Sequence, residues 1–198
     1  MPGGKTKKKK MIKEDMKPKK NVKEDIEPKK YSSSGIIINF SCPLAFYSCR
    51  VGKEYTNYLK SPSDFVEIRR KIFDEALIHF SKTTLDNLAQ DKSAHTHIIK
   101  DEKRKLVEKI LTELSKIKWP GSSIDSIVSN YMSGDIWQLG YSNGLRLIGF
   151  RQDNIFNLLF IDYHHLIEPS KDYNQIDYFK FNYCPMTSKY CSNCKGKQ

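Results

Sequence analysis

Four consecutive groups able to donate, accept or titrate follow an apolar run near the end of the chain: Asp162, Tyr163, His164 and His165, directly after Ile155–Ile161. Histidine titrates near neutral pH, which suits general acid–base work, and a neighbouring carboxylate can fix its tautomer. If the run is a strand, alternation sets Tyr163 and His165 on one face and Asp162 and His164 on the other. On the preceding apolar segment Arg146 lies between Leu145 and Leu147 and must reach an edge, a partner or a ligand, while Arg151 follows at that segment's end. An arginine and an imidazole converging on one sheet face would hold and cleave a phosphodiester. The guanidinium would stabilise developing negative charge and the imidazole would move a proton. The same residues also describe a capped strand end with solvated histidines.

Three further groupings could carry chemistry. His95-Thr96-His97 would place both rings on one face of an extended segment, where they could share a metal or join an active site. No third ligand is evident nearby, and a plain loop suits the residues around them. Cys184, Cys191 and Cys194 give C-x6-C-x2-C, of which C-x2-C is a chelate spacing. A closed zinc site needs a fourth ligand, which His164, His165, Cys42 or Cys49 could supply. Between Glu168 and Tyr183, tyrosines and phenylalanines interleave with Lys171 and Lys180. Such aromatics can stack on nucleobases, or pack the C-terminal segment back onto a sheet, which is the reading we favour.

The elements that must position these groups are legible from periodicity. Gly35–Cys49 is rich in β-branched and aromatic residues and reads as a strand, bent by Pro43. Ser61-Pro62-Ser63-Asp64 supplies an N-cap, a proline for the first turn and an acidic residue at the positive helix end. Behind it Phe65, Ile68, Ile72, Phe73, Ala76, Leu77 and Phe80 recur at helical spacing. A short helix at Leu85–Gln90 and a second long one over Asp101–Ile117 follow, the latter closed by Trp119-Pro120-Gly121. The period then becomes extended. Ile136–Tyr141, Leu145–Phe150 and Ile155–Tyr163 are apolar runs separated by Ser142-Asn143-Gly144 and Gln152-Asp153-Asn154, hence an antiparallel meander. The third run is the most continuously apolar and is expected at the sheet centre. The fold class is therefore α+β: an N-terminal strand, two main amphipathic helices packed on one sheet face, and a three-stranded C-terminal meander.

Charge is unevenly spread. Residues 1–30 hold 12 lysines against five acidic residues, a balance of +7 out of the chain's +11. Residues 11–20 and 21–30 form a ten-residue repeat with KED and PKK in register, too polar to stack as a solenoid. Residues 1–34 are thus expected to form a disordered lysine-rich tail, with Ser32–Gly35 as a hinge. Residues 35–183 are expected to form the α+β domain and 184–198 a cysteine-containing tail. Lys7, Lys8, Lys9 and Lys10 would attract phosphate backbones without sequence preference, and the same run also suits a merely solubilising extension. No export signal is visible and no stretch approaches the roughly 18 apolar residues that span a bilayer. A cytoplasmic address with reduced thiols is expected, without a membrane partner. No Walker loop, dinucleotide fingerprint or nucleophile elbow is present, which disfavours ATPases, dehydrogenases and common hydrolases.

The stretch Ile136–Leu166, with Trp137, Leu139, Gly144, Arg146-Leu147-Ile148, Phe150 and Tyr163-His164-His165, resembles the C-terminal hairpins of the RelE/YoeB superfamily of bacterial toxins. The resemblance covers about 30 residues; the chain is about twice the usual toxin length. It implies a metal-independent endoribonuclease of a mobile element. Arg146 would stabilise charge, His164 or His165 would act as acid or base, and Tyr163 would close the last strand beside them; Arg151, at the end of the preceding strand, is a further candidate. RNA, including ribosome-bound mRNA, would be the substrate, and an antitoxin or host protein a partner. No cofactor is called for beyond a structural zinc on the terminal cysteines. The same stretch, with Glu168-Pro169-Ser170, is also similar to uncharacterised plasmid, phage and mollicute proteins, which implies a mobile-element setting and no activity. The alternative function is accordingly a non-catalytic phage or plasmid binding module for RNA or a host protein.

Overall fold

The computed structural model describes residues 35–141, 144–170 and 174–187. The lysine-rich tail and its Lys7–Lys10 run, the Ser142-Asn143 turn, Lys171, Cys191 and Cys194 lie outside the described residues. The chain enters through Ile36, whose N–H is shared between the carbonyls of Phe80 (3.0 Å) and Thr83 (3.1 Å). Strand β1 (Ile37–Asn39) follows and is shorter than the periodicity suggests. Beyond it the chain leaves the sheet at Ser41–Phe46 and runs as irregular but buried backbone through Leu44, Ala45 and Cys49. A small antiparallel ribbon comes next, β2 (Arg50–Val51) and β3 (Tyr55–Thr56).

The first helical unit starts as expected. Ser61 Oγ accepts the Asp64 N–H at 3.3 Å and opens α1 (Pro62–Arg70). A π-helical stretch, Lys71–Ala76, then leads directly into α2 (Leu77–Phe80). The wider π turn aligns residues four apart, so Ile72, Ala76 and Phe80 stack on the sheet fully buried. Phe73, expected in the core, is instead 43 % exposed and stacks on Phe40. Helix α3 (Leu85–Gln90) is capped by Thr84 Oγ1, and a 3-10 turn, Lys92–Ala94, precedes β4 (His97–Ile98). Helices α4 (Asp101–Lys118) and α5 (Ile124–Tyr131) lead into the meander β5 (Ile136–Tyr141), β6 (Leu145–Gln152) and β7 (Ile155–Asp162).

The fold is α+β around a mixed five-stranded sheet of order β1-β7-β6-β5-β4, in which only the β1–β7 pairing is parallel. The meander stands as expected, but its centre differs. Because β1 adds outside β7 and β4 outside β5, the middle strand is β6. The largely apolar run of β7 has another cause, the covering of both sheet faces. Leu139, Leu147, Leu158 and Ile161 pack with Ile72, Ala76, Phe80, Leu85 and Leu88 from the helices α1–α3 side. Ile136, Ile148, Leu159 and Phe160 pack with Val107, Ile110, Leu111 and Leu114 of α4 and Val128 of α5. The two long helical units therefore lie on opposite faces, not on one. The amphipathic stripe of a helix states that it packs, and carries no record of which face it packs on.

The β6–β7 register shifts between Ile148 and Gly149. At this irregularity a Cβ on Gly149 would stand 2.1 Å from the Asn157 carbonyl oxygen and 2.9 Å from the Phe156 ring. Gly134, by contrast, faces open space. Gly149→Ala should cost about 1–3 kcal/mol by overpacking, and Gly134→Ala should stay within about 0.5 kcal/mol. Urea unfolding of the two variants checks this, and equal midpoints would refute the close-approach account.

Candidate functional site

Strand β7 ends where Asp162 turns the chain. Its carboxylate is fully buried and accepts three backbone N–H groups, those of His164 (3.2 Å), Leu166 (2.8 Å) and Ile167 (3.0 Å). Burial pushes the carboxyl up to about 6, while the three amides and the Arg146 charge pull the other way. Arg146 stands opposite Asp162 in the β6–β7 register, so both side chains leave the sheet on the α4 face. It is 2 % exposed, and Nη1 donates to the Leu145 carbonyl at 3.0 Å. On its other side Arg146 faces Gly140 of β5.

Gly140 lets a second segment approach. A Cβ there would lie 2.4 Å from the Ala94 carbonyl oxygen and 2.8 Å from His95 Cβ. His95 has a left-handed backbone, φ 49°, and presses its turn onto this part of the sheet. His165 is left-handed too, φ 55°, and returns towards the same place. Burial lowers its pKa to about 4, with further lowering from the Arg146 and His95 charges. Arg146, His165 and His95 thus gather over Gly140, on the face that carries Asp162.

The other predicted residues go elsewhere. Tyr163 packs into the opposite core with Leu139 and Ile161, and burial raises its hydroxyl pKa. His164 is held by the Tyr58 carbonyl, 2.7 Å from Nε2, and stacks on Tyr178 with centroids 4.1 Å apart. Burial lowers its pKa as well. Alternation therefore holds through Tyr163, which lies on the face opposite Asp162 as expected. Past that point the carboxylate's grip on three amides bends the chain, and His165 joins the Asp162 side rather than that of Tyr163. Arg151 lies five residues further along β6, about 16 Å from Arg146 at strand rise. There it bridges Asp86, with Nη2 to Oδ2 at 3.1 Å, and Nε donates to the Asp153 carbonyl.

His95 and His97 do not form a chelate. His97 Nε2 lies 3.0 Å from Glu168 Oε2, and Thr96 Oγ1 between them accepts the Gly140 N–H. Among the described residues no cluster of three or more His, Cys, Asp or Glu is arranged to hold a metal ion. Cys184 is buried, and its sulfur accepts the Ser48 N–H at 3.3 Å. Lys180 is exposed on the 3-10 turn Tyr178–Lys180. The aromatics around it pack inward: Tyr178 and Phe181 against His164, and Tyr183 into a two-way backbone bridge with Leu59, 2.9 Å each way. Sequence reasoning missed Gly140, although a glycine inside a strand is the usual sign of close backbone approach.

Asp162 and His165 titrate with opposite effects on stability. The Asp162 carboxyl is raised above its ordinary 3.8, so its contribution is present below that value and is lost as pH rises through about 6. The His165 ring is lowered from 6.5, so its contribution is present above 6.5 and is lost as pH falls towards 4. Compared by urea unfolding at pH 7 and pH 5, Asp162→Asn should lose more stability on acidification than the parent, and His165→Asn less. Identical losses in all three proteins would overturn this assignment.

No solved structure matches the chain. Over 59 residues it is 42 % identical to the "Uncharacterized protein UU032" of Ureaplasma parvum serovar 3 (strain ATCC 700970). That match takes in 30 % of this chain and spans about a third, 33 %, of the relative's length. No described helix is long and apolar enough to cross a membrane. The family model described as "Uncharacterised protein UU032" matches residues 42–191, which takes in both helical layers, the meander and the Asp162 turn. The likeness to uncharacterised mollicute proteins carried by the meander thus extends over most of the fold, and the chain belongs to this UU032 family.

Proposed function

We propose that the protein is a non-catalytic binding module of a mobile element whose partner is RNA. The observation that carries this reading is the burial of the residues that would have to react. Arg146 is 2 % and His165 7 % exposed. A general acid or base needs to reach the proton it moves, and a transition-state arginine must touch the phosphoryl oxygens. At its lowered pKa His165 is neutral near pH 7 and has no proton to give as an imidazolium. The polar cluster at the end of β7 instead serves to turn the chain and lock it. RNA is favoured as partner by the lysine-rich residues 1–30, whose +7 balance suits a phosphate backbone.

A second reading, a RelE-like endoribonuclease, is favoured by one observation: Arg146 and His165, two of the residues to which the resemblance gives roles, lie on a single face, with His95 beside them. One experiment separates the two. The full chain is titrated onto a labelled single-stranded RNA at several salt concentrations, beside a Lys7→Gln/Lys8→Gln/Lys9→Gln/Lys10→Gln variant, and RNA ends are mapped after incubation. We expect salt-dependent binding and intact RNA. The variant's log–log salt slope should be shallower by about 3, at roughly 0.7 per lost phosphate contact. Salt-independent binding, or none, would remove RNA as the partner and turn the search to host proteins. Cleavage that disappears in folded His165→Asn would establish the endoribonuclease instead.

A further inference from the structure

Four phenylalanine rings form a connected set beside β1, the edge strand of the sheet. Phe40, just beyond β1, stacks on Phe73 (centroids 5.4 Å apart, planes 21° apart) and on Phe46 (6.1 Å, 1°). Phe46 in turn meets Phe65 edge-on at 6.1 Å. Phe40, Phe46 and Phe65 all pack against the core of Ile72, Ala76 and Phe80, so the set belongs to one side of the sheet. It is not closed over. These three rings are half-buried, and Phe73 is 43 % exposed.

The helical periodicity explains why a ring stays outside. The core takes Ile68, Ile72, Ala76 and Phe80, at intervals of four. Phe65, Arg69 and Phe73 repeat at the same interval on the neighbouring flank and meet the segment 40–46. The carboxylates of this helical unit are engaged or placed elsewhere. Asp64 accepts the Lys60 N–H and the Ser61 hydroxyl. Glu67 and Glu75 pair with Arg70, and Glu67 also with Lys71. Asp74 stands four residues on from Arg70, on the outermost stripe. Arg69 makes no ion pair among the described residues and lies over the Phe73 ring, 6.0 Å from its centroid. Residues 37–46 add no charged side chain. The flank therefore presents rings and one uncommitted guanidinium.

We infer that Phe73, with Arg69 and Phe40 beside it, is a stacking platform for the unpaired bases of a single-stranded RNA. Aromatic rings and guanidinium planes are the groups on which splayed bases stack. An apolar protein surface would instead bury Arg69 without a carboxylate, which is costly. The inference rests on the RNA reading above and deepens it. Residues 1–30, with their +7 balance, join the chain through residues 31–34, directly ahead of β1. Their lysines hold the phosphate backbone, and the platform takes the bases and so discriminates single strands from duplex. A strand held by the lysines meets the platform at high effective concentration, because the two contacts are joined by a short linker.

The full chain is titrated with a short labelled single-stranded RNA and with the same RNA annealed to its complement. Duplex carries the denser charge and suits the lysines alone, so the readout is the ratio of the two affinities. Phe73→Ala should weaken single-strand binding about fivefold or more and leave duplex binding and both salt slopes unchanged. Ile78→Ala, at a site 50 % exposed on the same helical unit, should change neither affinity. Phe73→Trp should keep the parent's ratio, with indole emission that responds to the single strand and not to the duplex. This variant tests the site even where the alanine variant fails to fold. An unchanged ratio in folded Phe73→Ala, or an indole blind to the single strand, overturns the platform and leaves the RNA reading standing. Binding of neither RNA removes both. Self-association of the parent that Phe73→Ala abolishes, with RNA affinities unaltered, would give the surface to a second copy of the chain and overturn the inference.

Discussion

The buried carboxylate of Asp162 is the constraint from which the arrangement at the end of the sheet follows. A carboxyl group removed from water must be hydrogen-bonded, and here three backbone amides of the following turn satisfy it, while the Arg146 charge favours its ionised form. Meeting that demand ends β7, sends His164 out to Tyr58 and Tyr178, and folds His165 back over Arg146. The C-terminal segment is then seated on these side chains through Asn174, Tyr178 and Phe181. One carboxylate thus connects the central hairpin, the β2–β3 region and the last described residues.

The rest of the architecture follows from covering the sheet on both sides. Strands covered by two cores are largely apolar, and β6 and β7 are so between their polar positions, Arg146, Arg151, Gln152, Asn157 and Asp162. Such a sheet leaves little room where backbone crosses it, and glycines stand at those places: Gly140 beneath the His95 turn and Gly149 against Asn157. The π-helical stretch in the first helical unit serves the same end by keeping Ile72, Ala76 and Phe80 in line over the curved surface. Close packing rather than polar chemistry therefore governs both faces.

The two ends of the sheet consequently differ. The Asp162 end is closed, and burial shifts its titratable groups in the direction that favours their neutral forms. The opposite end is open, with a cleft of about 480 Å³ bordered by Asp135, Arg151 and Asp153. A family match over residues 42–191 includes both ends, so they are parts of one shared fold.

What the amino-acid sequence determined by itself were the local elements, because their signals are local. The Ser61 cap with its following apolar spacing, the Asp101 helix and the three-run meander all stand where periodicity places them, and Arg146 and His165 do converge. The tertiary structure alone decided the rest. An amphipathic stripe does not say which sheet face it will cover, so the opposed helical layers were not legible. The centrality of β6 depends on where β1 and the two-residue β4 pair, which a strand's own pattern does not state. Above all, alternation assigns faces only while a strand continues. It placed Tyr163 but failed beyond it, because the Asp162 side chain, by capturing backbone amides up to five residues ahead, redirected the chain and sent His164 and His165 to different environments.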